Sequence, residues 1–173
     1  MNSPYLLAQP PSVLPPLSPR SRPHQPLLKV SDPAVRAMTD FLEDPPRTVA
    51  QDTALEQVVD HMFRFGVRAF LVVDERSVIG LITAEDVSDA QHTLARCGTA
   101  AQELRAADAM TPSIDVPAID WRTLQDSRIA DLLEIFEGSG VRYLVVLQTE
   151  TATWSTVRGL INRQRLERAL RRS

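Results

Sequence analysis

Cysteine is almost absent. Cys97 stands alone in 173 residues, which excludes an internal disulfide and a multi-cysteine zinc site and points to a reducing compartment. Lysine is nearly missing as well: every basic residue except Lys29 is an arginine. The longest clean apolar runs, Ala69 to Val73 and Tyr143 to Leu147, are strand-length, far short of the roughly 20 residues that span a bilayer. The first residues lack a basic stretch followed by an apolar block, so no secretory signal is expected and the cytoplasm is the expected compartment. Positive charge is not in excess. With 19 basic against 22 acidic residues and a net charge of -3, general binding to nucleic acid or a membrane surface is disfavoured. GxSxG, HExxH, P-loop and GxGxxG motifs are all missing, so no common hydrolase, metalloprotease or nucleotide-cleaving signature is present. His92 and Cys97 lie five apart with no third ligand nearby, which makes neither a metal site nor a nucleophile pair.

What is present is ordinary in amount and uneven in placement. Hydrophobic residues make up 43% and charged residues 24%, as in soluble globular chains. Nine of the 13 prolines fall within residues 1–33, and the first glycine is Gly66. Proline blocks helix and sheet hydrogen bonding, so residues 1–34 read as a Pro-rich flexible tail, of which residues 1–32 are expected to be dispensable for folding. A PxxP-type ligand is one alternative there, and Tyr5, Leu6 and Leu7 could dock on the domain or on a partner.

From Val35 onward the chain repeats itself once. Ala37-Met38-Thr39 recurs as Ala109-Met110-Thr111, and Arg47-Thr48-Val49 as Arg122-Thr123-Leu124. Gly66-Val67-Arg68 recurs as Gly140-Val141-Arg142, and Gly80-Leu81-Ile82 as Gly159-Leu160-Ile161. Four triplets in one order indicate two copies, residues 35–97 and 98–173, the second including a linker and an Arg-rich last helix. Each is too small to bury a core well alone.

In the first copy a short strand at Thr48–Ala50 precedes a helix that Asp52 or Thr53 would cap. Leu55, Val58, Val59, Met62 and Phe63 form its apolar face, and Gly66 would end it. Strands follow at Ala69–Val73 and Val78–Ile82, and Thr83 opens the next helix. The second copy runs in parallel. Ile129, Leu132, Leu133 and Phe136 mark its helix, and Tyr143–Leu147 its strand. A long turn Gln148–Ser155, a strand Thr156–Ile161 and a helix from Arg163 to Arg171 complete it. Val87 to Ala109 reads as helix, break at Gly98, helix. His61 is expected on a solvated face.

These residues resemble a known family. The β-α-β-β-α unit with Gly66-Val67-Arg68-Ala69-Phe70-Leu71-Val72-Val73-Asp74, then Gly80-Leu81-Ile82-Thr83-Ala84-Glu85-Asp86, is similar to a CBS domain. Two in tandem resemble a CBS pair, or Bateman module, of the kind found as stand-alone bacterial proteins. The resemblance covers residues 35 to about 170 and is weaker in the second copy after Gly159. It implies an α/β fold of two CBS repeats packed as a pseudo-two-fold pair. It also implies a non-catalytic regulatory module, a homodimer, that binds an adenine nucleotide (AMP, ADP or ATP) or a related adenosyl ligand between the repeats. An unidentified regulated protein would read the change, and no cofactor is required. The alternative is a ligand-free dimerisation or scaffold module.

Chemistry at the first repeat fits that implication. Thr83 sits where a strand hands over to a helix, a place that favours anions. The Asp86 carboxylate can accept hydrogen bonds from the two hydroxyls of a ribose. The competing reading is that Thr83 is an N-cap and Asp86 only complements the helix dipole. Arg68 and Arg142 hold equivalent positions where the family often carries a basic residue for phosphates; a surface salt bridge is the alternative. Thr48, Val49, Val67 and Ala69, with Val141 and Tyr143, are candidate adenine-pocket walls or plain strand core. The second copy departs from the pattern. It has Asn162 and Arg165 where the first has Thr83 and Asp86, and arginine has donors only, so one competent ribose site is expected.

Overall fold

The computed structural model describes residues 27–75, 77–97, 104–151 and 154–171. The tail through residue 26, with Tyr5, Leu6, Leu7 and His24, and the break at Gly98 lie outside the described residues. In chain order the elements are a 3-10 turn Ala34–Ala37, β1 Met38–Asp40, β2 Thr48–Ala50, α1 Leu55–Phe65, β3 Ala69–Asp74, β4 Ser77–Thr83, α2 Ala84–Cys97 and α3 Ala106–Ala109. They continue with β5 Thr111–Pro112, β6 Ala118–Asp120, α4 Trp121–Asp126, α5 Ile129–Ser139, β7 Tyr143–Thr151, β8 Trp154–Asn162 and α6 Arg163–Leu170. The fold is mixed α/β.

Two compact units cut across the sequence repeat. Among the described residues, unit 1 takes residues 46–116 and unit 2 takes residues 27–45 with 117–171. Unit 1 holds a sheet in the order β2-β3-β4-β5, and unit 2 one in the order β1-β8-β7-β6. Each repeat therefore gives its opening strand to the other unit. β1 pairs antiparallel with β8, Met38 opposite Ile161, and β5 pairs antiparallel with β4, Thr111 opposite Leu81. The repeated triplets explain these pairings. A Cβ on Gly80 would lie 2.6 Å from both Met110 Sδ and the Thr111 carbonyl oxygen, and one on Gly159 would lie 2.5 Å from Met38 Sδ. Glycine in a strand permits this close backbone approach. So Ala-Met-Thr of one copy lies against Gly-Leu-Ile of the other.

The segments just before β1 and β5 are exchanged in the same way, and they cap helices. The α1 start has no side-chain cap; neither Asp52 nor Thr53 supplies one. Instead the Leu55 N–H donates to the Leu104 carbonyl at 2.7 Å, and Ala54 bridges Arg105. In unit 2 the Ile129 N–H donates to the Asp32 carbonyl, the Ala130 N–H donates to the Val30 carbonyl, and Pro33 bridges Arg128. Main-chain carbonyls thus satisfy the first-turn donors that a capping side chain would otherwise take. This corrects the tail boundary at residue 34. Leu28 and Ala34 are buried in the unit 2 core, so order begins before the last of the clustered prolines.

Three further expectations change. Arg122-Thr123-Leu124 is not a strand equivalent to Arg47-Thr48-Val49. It lies in α4, where the Asp120 side chain accepts from the Arg122 N–H and Leu124 is fully buried. The counterpart of β2 is β6, which pairs parallel with β7 as β2 does with β3. The long turn Gln148–Ser155 is largely strand, with Gln148 opposite Thr156 and Thr149 opposite Ser155; β-branched threonines favour this extended pairing. Phe63 leaves the α1 apolar face and is 83% exposed, while Leu55, Val58 and Met62 are buried. Gly66 and Gly140 do end α1 and α5, at φ of 64° and 69°, a left-handed conformation that glycine adopts without Cβ strain.

Candidate functional site

One end of the unit 1 sheet gathers most of the residues singled out by sequence. β4 ends at Thr83, which is paired with Ala69 at the start of β3. The Ala84 N–H donates to the Arg68 carbonyl at 2.9 Å, tying the start of α2 to the approach to β3. β2 enters beside them, with Thr48 opposite Leu71. A strand end, a strand start and a helix N-terminus therefore converge on Val67, Arg68, Ala69, Thr83 and Asp86.

Thr83 and Asp86 form a reciprocal cap. The Thr83 N–H and hydroxyl each donate to Asp86 Oδ2 at 2.8 Å, and the Asp86 N–H donates to Thr83 Oγ1 at 3.2 Å. This is the local logic of a capping box, shifted to an aspartate. Thr83 is buried, only 8% exposed. Its hydroxyl is committed to the cap, so any ligand contact from this pair falls first to Asp86. Both protons go to Oδ2. A carboxylate carries about four lone-pair sites, so Oδ1 retains its acceptor capacity.

Arg68 makes the surface salt bridge that was its alternative reading, Nη2 to Glu85 Oε1 at 2.7 Å. The arginine side chain remains 59% exposed. Exposed pairs of this kind contribute only about 0–1 kcal/mol. Glu85 is the residue that sequence reasoning missed here; its place in the first turn beside Asp86 was the available signal. Val49 lies in the unit 1 core at 5% exposure, and Val67 packs partly against that core. His61 also departs from expectation. It is half-buried, with its ring 5.9 Å from Phe65 and 6.4 Å from Phe70.

Unit 2 repeats the frame with different chemistry. Tyr143 is opposite Asn162, and the Arg163 N–H donates to the Arg142 carbonyl at 2.9 Å. Asn162 caps α6 by accepting from the Arg165 N–H at 3.0 Å. Arg165, in the place of Asp86, donates from Nη1 to Thr39 Oγ1 at 2.8 Å. Tyr143 is buried, Arg142 is exposed, and Gln164 stands where unit 1 has Glu85.

Elsewhere in unit 2, Arg158 grips Asp40 with two bonds, Nε to Oδ1 at 3.0 Å and Nη2 to Oδ2 at 2.7 Å, and lies 4.7 Å over the Trp121 ring. Burial pushes the Asp40 carboxyl up. The Arg158 hydrogen bonds, the Leu42 N–H and the Arg158 charge together outweigh that and hold it below the ordinary value of 3.8. Asp120 is held low as well, chiefly by the Arg122 N–H. Among the described residues no group of three His, Cys, Asp or Glu is placed to hold a metal ion, and no helix is long and apolar enough to cross a membrane.

The family model for the CBS domain matches residues 35–93. No curated protein sequence matches the chain. Among solved structures, the CBS-pair protein CBSX2, known from Arabidopsis thaliana and solved in complex with AMP, is 17% identical. That match covers 80% of this chain and 95% of the other, with a TM-score of 0.55. A CBS-domain containing protein from Agrobacterium tumefaciens is 22% identical over 75% of this chain and 88% of its own, TM-score 0.56. The CBS domain pair of protein MJ0100, solved with 5-methylthioadenosine and S-adenosyl-L-methionine, is 14% identical over 76% and 94%, TM-score 0.52. Residues 35–93 thus match the CBS-domain family model, and the chain has the fold of these CBS-pair structures.

Proposed function

We propose that this protein is a regulatory module that binds an adenosyl ligand, an adenine nucleotide first among them, at the Thr83–Asp86 end of unit 1. The observation that carries the reading is the Asp86 carboxylate. Two bonds from Thr83 fix its orientation through Oδ2, which leaves Oδ1 to accept from a ribose hydroxyl. Arg68, whose ion pair with Glu85 is exposed, supplies a fork for phosphate oxygens. Structures of the same fold were solved with AMP and with 5-methylthioadenosine and S-adenosyl-L-methionine, ligands that share the adenosine part. Arg165 cannot accept from ribose, so one such ligand binds per chain. The module acts by linkage rather than catalysis: the ligand shifts a conformational equilibrium that a partner protein reads. It works in the cytoplasm as a homodimer, with Phe63 on α1 and Ile135 on α5 as exposed apolar side chains available for contact.

A ligand-free scaffold is the second reading. It is favoured by the capping role of Thr83 and Asp86, which explains both residues without a ligand. A thermal-shift panel of AMP, ADP, ATP, S-adenosyl-L-methionine and 5-methylthioadenosine separates the two. A ligand at about 100 times its Kd stabilises by about 2.7 kcal/mol, roughly 5–10 °C for a chain of this size. A flat response to all five supports the scaffold.

A further inference from the structure

We infer that Glu85 makes the Thr83–Asp86 end of unit 1 selective by charge: it favours an adenosyl ligand with no phosphate or one, and discriminates against di- and triphosphates. The inference rests on the adenosyl reading of that end and adds a specificity-determining residue to it. Among the residues gathered there, Arg68 is the cation, and Glu85 and Asp86 are the anions. One positive charge stands against two negative ones before any ligand arrives.

The attractions that would draw a polyphosphate are already engaged. Glu85 and Asp86 both lie in the first turn of α2, so two carboxylates meet the partial positive charge of the helix start. Asp86 accepts the Thr83 N–H, and Arg68 Nη2 donates to Glu85 Oε1 at 2.7 Å. Glu85 is the less exposed partner of that pair, 29% against 59% for Arg68, so its charge is the less screened by water. A guanidinium carries five N–H donors and can bridge Glu85 to one phosphate. That phosphate then sits beside the Glu85 carboxylate. Each further phosphate adds negative charge near Glu85 and Asp86, and none of the residues gathered at this end adds a second cation. In a partly solvated site such a like charge weakens binding about three- to tenfold. Unit 2 has Gln164 at the place of Glu85, so the neutral amide is compatible with this position of the repeat.

The test is titration calorimetry of the full chain with 5-methylthioadenosine, AMP and ATP, without divalent cations and at constant ionic strength. In wild type, ATP should bind about ten- to a hundredfold more weakly than AMP, the effect of two added phosphates. In Glu85→Gln the ratio of the ATP Kd to the AMP Kd should fall about three- to tenfold. 5-Methylthioadenosine has no phosphate and should bind both proteins alike, whereas a merely structural role for Glu85 would move all three Kd values together. Glu85→Ala carries the same expectation should the first variant fail to fold. ATP binding to wild type as tight as AMP, or a ratio unchanged in the variants, would overturn the role of Glu85 and leave the adenosyl reading standing. Failure of all three ligands to bind wild type would overturn that reading, and this inference with it.

Discussion

Gly80→Ala tests the exchange of opening strands at a single atom. The added Cβ would sit 2.6 Å from Met110 Sδ and 2.6 Å from the Thr111 carbonyl oxygen, where ordinary contact begins at 3.4 Å. The methionine end can swing aside. The carbonyl belongs to β5, a two-residue strand held by Gly80 opposite Pro112 and Leu81 opposite Thr111, so relieving that contact moves the strand itself. Overpacking of this kind costs about 1–3 kcal/mol. Thermal unfolding followed by circular dichroism should show a loss of several degrees, at about 2–4 °C per kcal/mol for this chain length. Gly138→Ala is the matched control. It lies in α5 with nothing within 4 Å of the added Cβ, and alanine there is worth up to about 1 kcal/mol in helix propensity. Met110→Ala in the Gly80→Ala background should recover only part of the loss, because the Thr111 carbonyl remains. A Gly80→Ala protein that melts at or above the wild-type temperature would refute the close approach, and with it the explanation of the paired triplets.

Other outcomes are expected from the same contacts. Leu28→Ala should cost about 2–5 kcal/mol in a urea titration, as for other buried leucines, although Leu28 lies within the proline-rich stretch; a change under 0.5 kcal/mol would return it to the tail. Phe63→Ser should leave the melting temperature of the dilute protein within a degree, since an 83% exposed side chain contributes little to the folded unit, and should weaken self-association in light scattering. Asp40 has a folded pKa below its unfolded value of 3.8. Its contribution is therefore present above that value and is lost as pH falls through the lowered one. Asp40→Asn should be less stable than wild type at pH 7, and the gap should close in acid; a gap that is constant with pH would contradict the Arg158 pairing.

Much of this architecture is legible in the sequence because it is local. β2 and the starts of β3 and α1 follow from apolar period and glycine placement, signals that depend on near neighbours. The exchange of opening strands is not legible. A repeated Ala-Met-Thr and a repeated Gly-Leu-Ile state that two strands and two glycines exist, but no residue type records which copy pairs with which. The same gap hid the order at Leu28, whose burial depends on α6, far along the chain. The Arg-Thr-Leu triplet misled for another reason: it matches in composition, but Asp120 just before it caps a helix and overrides the strand reading. Thr83 and Asp86 were legible as a pair, and both of their readings were. What the sequence could not supply is that one carboxylate oxygen takes both Thr83 protons.

That detail selects the decisive variant. Asp86→Ala would remove the cap together with any ribose contact, so a loss of binding could be blamed on the helix start, worth about 0.5–2 kcal/mol. In Asp86→Asn the side-chain oxygen can still accept from Thr83, while the second oxygen is replaced by a donor. Titration calorimetry of AMP into wild type and Asp86→Asn is the measurement to make. The adenosyl reading predicts one site per chain in wild type and a Kd raised about ten- to a hundredfold in Asp86→Asn, with the melting temperature little changed. Equal affinity in the two proteins would contradict it and leave Asp86 as a helix-capping residue.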